Sequence, residues 1–250
     1  MTLDDRPVRA RTRSRRLAVT ERWLALHEPA LLSAGARVID FGFGESPITS
    51  LEWADALGPH VTVIAVERDA SRVEAAREHG GRLTLVHGGF EALPRLAPVT
   101  VVRAMNVLRA YPPEQVLTAQ QALAAPLSEG GIVIEGSTDL AGDLTVAHVL
   151  RKRGAELLRE RLLFHTTFTY GFAPWQFRDH LPRDLRRSVK PGTGLYDFLS
   201  AWHSAFEGTR GELASRFAYS LSALGPEVSS WEPGALQWSP VAGVPRARSV

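Results

Sequence analysis

The spacing of apolar residues changes repeatedly along the chain, and each change marks an element. From Leu17 to Leu32 apolar residues recur at helical intervals (Leu17, Trp23, Leu24, Leu26, Leu31), which predicts an amphipathic leading helix. Arg37-Val38-Ile39-Asp40 is short and β-branched and runs into Phe41-Gly42-Phe43-Gly44, so a strand followed by a tight turn is expected. Ser46-Pro47 then reads as a helix start, with serine as N-cap and proline in the first turn, and the helix covers 47–57 before Gly58-Pro59.

The same form repeats. Val61 to Val66 is a near-continuous apolar run, as a strand buried on both faces requires, and a helix follows from Arg72 to His79. Further strands are expected at Leu83–Val86, Val99–Val102 and Gly131–Glu135, with a helix at Pro113–Ala124. Strands alternating with helices imply an α/β fold with a doubly wound, mostly parallel sheet. Beyond residue 140 the period changes: Thr145–Lys152 and Glu156–Phe168, separated by Arg153-Gly154-Ala155, read as an antiparallel hairpin, although Glu156–Leu163 also suits a helix. Residues 174–207 carry Pro174, Pro182 and Pro191 and end in an apolar-periodic stretch from Leu195 to Phe206, a loop-rich cover closing in a helix. Residues 226–250, rich in Pro, Gly and Ser, are expected to be a loosely held tail. One domain over 17–225, preceded by an arm at 1–16, is the resulting organisation, with 170–207 as substrate cover.

Apolar residues at 44% and charged residues at 22% of 250 are ordinary globular usage, which excludes disorder or a fibrous class for the chain as a whole. No run reaches the roughly 20 apolar residues of a membrane span, and no secretory signal follows the basic start. With no cysteine, disulfides and thiolate chemistry are excluded, and the cytoplasm is the expected compartment. The net charge of +2 conceals an arm bearing Arg6, Arg9, Arg11, Arg13, Arg15 and Arg16 against Asp4 and Asp5. Such an arm is either a solvated tail or a holder of phosphate on RNA or a small ligand.

The chemistry concentrates at Asp40–Ser46. Glycines at alternate positions allow positive φ and close approach of a ligand to backbone, and the following helix presents free amides. Glu67, 25 residues after Gly42, ends the second strand, where an acceptor-only carboxylate suits a ribose diol; the alternative is a solvated strand-end acid. A dinucleotide fingerprint wants glycine where Pro47 stands, and a pyrophosphate is disfavoured by the flanking Asp40 and Glu45. A cationic, methionine-type nucleoside is favoured instead.

These residues resemble a family. Asp40-x-Gly42-x-Gly44-x-Ser46, the acidic end of Val63–Glu67, the turn Gly88-Gly89-Phe90-Glu91-Ala92-Leu93 and the late Leu127-x-x-Gly130-Gly131 look like the successive motifs of class I S-adenosylmethionine (SAM)-dependent methyltransferases. More narrowly, Asp40–Ser50, Val102–Arg109 and the Leu181-Pro182 to Pro191-Gly192 stretch are similar to a group of actinobacterial-type methyltransferase-like proteins. The resemblance implies SAM as cofactor, with Asp40, Gly42, Gly44 and Ser46 around its methionine part, Glu67 on the ribose, and Gly89 and Phe90 beside the adenine. It departs from the pattern at Ser46, where glycine is usual, and at Gly89, where many relatives carry an acid.

After the fourth strand, Asn106 is a candidate to bond a substrate heteroatom and Arg103 to hold an anion, so these two are the candidate catalytic residues. For Asn106 a loop or capping bond is the alternative. His87 beside the cofactor turn and His165 on a strand are candidate bases, and no His/Asp/Glu spacing indicates a metal. Trp175, Phe177, Tyr196, Phe198 and Trp202 line an apolar substrate pocket or form plain core. Three functions follow: a small-molecule methyltransferase, an RNA methyltransferase using residues 6–16, and a non-catalytic SAM-binding protein.

Overall fold

The computed structural model describes residues 13–79 and 81–239. Five strands, β1 (Arg37–Phe41), β2 (Thr62–Glu67), β3 (Thr84–His87), β4 (Val99–Met105) and β5 (Leu127–Thr138), lie parallel in the order 3-2-1-4-5. This is the strand order of the doubly wound α/β fold, whose ligands bind beyond the carboxyl ends of the strands. Four antiparallel strands extend the sheet past β5: β6 (Leu144–Arg153) and β7 (Glu156–Thr166), then β9 (Ala235–Trp238) and, outermost, β8 (Val228–Glu232). The α/β class and the antiparallel hairpin of the sequence reading are both present, and among the described residues the sheet has nine strands where seven were expected.

Alternation along the buried strands feeds two cores. Val38, Val63, Ala65 and Val101 face α1 (Ala18–His27), α2 (Ile48–Leu57) and α3 (Ala70–Ala76), where Trp23, Trp53 and Val73 cover them. Ile39, Ile64, Val102 and Val133 face α4 (Pro113–Ala124) through Val116, Ala119 and Leu123. The leading helix stops at His27 because Pro29 follows within two residues, and 29–32 continue as a 3-10 turn. Helix α2 begins at Ile48, one residue later than expected. Pro47 is its N-cap, and no side chain caps it.

Segment 170–207 and the next helix form a third core. A 3-10 stretch (Pro174–His180), α5 (Arg183–Arg186), α6 (Gly194–Glu207) and α7 (Leu213–Leu221) close over β6, β7 and β9 through Phe177, Trp202, Phe206 and Phe217. Phe177 stacks on Trp202 at 5.6 Å, and Phe198 on Trp238 at 4.7 Å. Each fully buried side chain of this kind contributes about 1.5–3 kcal/mol.

Residues 228–238 are therefore no loose tail. Pro233-Gly234 makes the turn, Gly234 taking φ +75°, and Leu236 pairs with Phe164. The Pro/Gly/Ser content reported the turn, while Trp231, Leu236 and Trp238 supply the strands. Residues 240–250 lie outside the described residues, as do residues 1–12 of the basic arm.

Candidate active site at the carboxyl edge of the parallel strands

Strand β1 delivers Asp40 and then turns through Gly42 and Gly44, at φ +78° and +80°. These are left-handed values that favour glycine. The Gly42 N–H donates to Val66 O at 2.8 Å, tying the loop to β2. At the end of β2, Glu67 Oε2 accepts from the Gly44 N–H at 2.8 Å, and Oε1 accepts from the Arg68 and Asp69 N–H groups at 2.9 and 3.1 Å. Glu67 is 7% exposed, so it is not the solvated strand-end acid of the alternative reading. A carboxylate offers about four lone-pair positions, and three amides leave one for a hydroxyl.

The turn after β3 completes this edge. The Gly89 N–H donates to Glu91 Oε1 at 2.6 Å, a bond that holds the Glu91 carboxyl below its usual range. Half-buried Phe90 leans on Phe41 at 4.8 Å and meets Tyr111 edge-on at 5.9 Å. Ser46 is half-buried and Glu45 exposed within the same loop. The residues expected around a nucleoside are thus neighbours, with the Gly89 amide already engaged.

Two expected contacts point elsewhere. Asp40, expected beside a ligand, is 4% exposed and accepts from Arg103 Nε at 2.9 Å, Arg103 Nη2 at 2.8 Å and Ser50 Oγ at 2.6 Å. Arg103, expected to hold a substrate anion, is fully buried: it also donates to Glu21 Oε1 at 2.8 Å and Thr49 O at 3.0 Å, and lies 4.3 Å over the Trp53 ring. Burial opposes its charge, yet Asp40 and Glu21 outweigh this and raise its pKa above the ordinary value. The pair is an internal staple of β1, β4 and α1. Its physical origin is register: Asp40 and Arg103 are direct partners across β1 and β4.

Asn106 follows the pattern of its alternative reading. Its backbone takes φ +64°, its N–H donates to Gly136 O at 2.7 Å, and its Oδ1 accepts from the Thr138 N–H at 3.0 Å. The side chain locks the β4 and β5 ends together and is 5% exposed. Both candidate catalytic residues therefore spend their hydrogen bonds on the protein's own groups. Val107 packs against the loop, its Cγ2 2.8 Å from where a Cβ on Gly42 would sit.

His87 Nε2 sits 3.0 Å from Arg68 O, beside the candidate edge. His165 lies across the sheet on β7, where burial drives its pKa down to about 4 and its Nδ1 has no hydrogen-bond partner among the described residues. Of the aromatic set, Phe177, Phe198 and Trp202 are core, while Trp175 and Tyr196 pair at 5.4 Å on its rim. At the base of the basic arm Arg16 is only 7% exposed and donates through Nε to Thr138 Oγ1 at 2.6 Å and Asp139 O at 3.0 Å. This arginine belongs to the body of the protein.

A second polar centre escaped the sequence reading. Glu135 on β5, His148 on β6 and Asp184 on α5 each offer an oxygen or nitrogen, all within 4.8 Å of one another. Burial, then the charge of Asp184, pushes the Glu135 pKa up to about 8. Burial also opposes ionisation of Asp184, but His148 and Arg159 prevail and hold it at about 2. Positions 135, 148 and 184 have no ligand spacing; the available signal was a polar residue inside each apolar run, Ile132–Glu135 and Val146–Leu150.

No family model matches the chain, and no curated protein matches it by sequence. Solved structures do match in part. The amino pentose methyltransferase CalS10 from Micromonospora echinaspora, solved with SAM bound, is 20% identical over 64% of this chain and 72% of its own, with a TM-score of 0.41. Magnesium protoporphyrin IX methyltransferase from Synechocystis, solved with S-adenosylhomocysteine, is 21% identical over 48% and 53%, with a TM-score of 0.39. TrmN from Thermus thermophilus is 24% identical over 52% and 45%, with a TM-score of 0.33. Among such matches the chain spans about half to two thirds of the solved protein. The fold assignment itself stands on strand order and register.

Proposed function

We propose that the chain binds SAM across the carboxyl ends of β1, β2 and β3 and transfers its methyl group to a small-molecule acceptor. The observation that carries this reading is Glu67, a buried carboxylate at the end of β2, anchored on the Gly44 amide and retaining room for one more donor. It fits a ribose hydroxyl. Gly42 and Gly44 present backbone to the methionine part, Ser46 flanks it, and Phe41 with Phe90 provides an apolar wall for the adenine.

Asp40 is set aside as a direct ligand because the Arg103 guanidinium, held on both of its oxygens, already compensates its charge, whereas the hydrogen bonds to Glu67 come from neutral amides; exposed Glu45 is the remaining acid on the loop. SAM when bound supplies an electrophilic methyl group. The chain's part is to orient the acceptor and exclude water, which needs no nucleophile of its own. The narrower likeness to the actinobacterial-type group and the cytoplasmic location rest on the sequence.

Calorimetry with SAM and with NAD(H), on wild type, Glu67→Gln and Glu67→Ala, tests the reading. Loss of a charge-assisted bond in Glu67→Ala weakens SAM binding by about 1.5–3 kcal/mol. Glu67→Gln keeps an acceptor for Gly44 and separates loop support from ribose binding. Undiminished SAM binding in both variants, or a preference for NAD(H), overturns it.

A second reading, SAM binding without catalysis, is favoured by the inward commitment of both Arg103 and Asn106. Methyl release from SAM with candidate acceptors separates the two: tight binding without turnover on metabolites or RNA selects the second.

A further inference from the structure

The Glu135 centre lies on the α4 side of the sheet, opposite the face that carries the Arg103 staple, and methyl transfer leaves it without a task. Glu135 and His148 are direct register partners across β5 and β6, so the sheet itself sets two of the three groups side by side. Helix α5, which begins directly after Pro182, brings Asp184 over them. Glu135 is 1% and His148 2% exposed.

The hydrogen bonding of this cluster is thin for groups so deeply buried. Among the described residues Glu135 has one hydrogen bond, from Gln120 Nε2 at 3.3 Å, which leaves its Oε1 without a donor. An acid in that position is expensive to bury in its charged form unless a cation faces it. Arg159 does not fill the role: it donates to Asp184 Oδ2, on the far carboxylate. Asp184 Oδ1 remains turned to His148 Nε2 at 3.4 Å.

That last distance is informative. It is long against the roughly 2.9–3.0 Å of an ordinary N–H···O bond. It equals the roughly 3.4 Å edge between two ligands that each lie about 2.0–2.1 Å from a tetrahedral zinc-type ion. One imidazole and two carboxylates form a mixed nitrogen and oxygen donor set that suits zinc-type ions better than magnesium, which prefers oxygen and retained water.

We infer that Glu135, His148 and Asp184 form a binding site for one divalent transition-metal ion of the zinc class. Glu135 swings in to close the remaining separation, and its free oxygen gains the cation it lacks. The ion joins β5, β6 and α5, and so fastens the C-terminal helical layer to the sheet. Arg159 holds Asp184 in place from behind, a positioning role.

The test uses the full chain, stripped with a chelator and then titrated with zinc chloride at neutral pH, with cobalt(II) as a spectroscopic probe. One equivalent of zinc is expected to bind and to raise the melting temperature. Cobalt is expected to show the intense visible absorption of a four-coordinate site. Glu135→Gln and His148→Gln each weaken uptake by at least about tenfold, whereas His60→Gln, at a histidine remote in sequence, leaves it unchanged. Should a variant fail to fold, the cobalt spectrum and stoichiometry of wild type decide. Absence of uptake by folded wild type, a weak six-coordinate cobalt spectrum, or uptake undiminished in both folded variants overturns the assignment.

Discussion

Removing the guanidinium of Arg103 would leave Asp40 and Glu21 facing one another inside the protein with no cation between them. Loss of one partner of a buried pair costs about 3–5 kcal/mol, so Arg103→Met is expected to lower the urea midpoint sharply. Asp40→Asn combined with Arg103→Met should lose less than the sum of the two single changes. An Arg103→Met protein of wild-type stability with impaired acceptor binding would return Arg103 to the substrate. His165 provides a pH prediction. Its pKa falls from an unfolded value near 6.5 to about 4 on folding, mainly through desolvation. The unfolded chain therefore binds the extra proton, and stability present above pH 6.5 is lost as the pH falls towards 4. The loss is of order 2–3 kcal/mol, and His165→Gln should flatten denaturation midpoints over that window. At this scale the sequence was half legible. It located Asp40, Glu67 and Arg103 at strand ends, but it lists charges without neighbours, and the cross-strand register of Asp40 with Arg103 decides which of them meets a ligand.

The glycine loop was legible as an element because its demands are local. Positive φ at Gly42 and Gly44 follows from residue type and position between a strand and a helix. Gly42→Ala is expected to destabilise by about 1–3 kcal/mol, through a left-handed φ and contact with Val107. Pairing it with Val107→Ala relieves the contact and leaves the backbone part, which thermal melts of the single and double variants resolve. The hairpin β6–β7 was also readable, since apolar alternation flanks Arg153-Gly154-Ala155. Strands β8 and β9 were not. Each is five residues or fewer, and partners lie far away in sequence: those of β9 are on β7 and α6, and Trp231 of β8 meets His27 at the end of α1. The same distance hid the Glu135 cluster, whose members come from three elements.

On the scale of the molecule, the parallel half of the sheet carries the candidate site, and the antiparallel half, with its aromatic layer, supplies a third core. Deleting residues 226–250 removes β8 and β9, uncovers Leu162 and Phe164 on β7 and takes Trp238 from Phe198. The truncated chain is expected to melt at lower temperature and to self-associate in size-exclusion chromatography; an unaltered, monodisperse profile would show that these strands contribute little. The outermost strands of the nine are β3, of four residues, and β8, of five. β8 carries the exposed Ser229 and Ser230, and its register with β9 slips between Ser230 and Glu232. Among the described residues one margin is short and the other short, polar and broken in register, which makes both poor templates for the edge of an incoming chain.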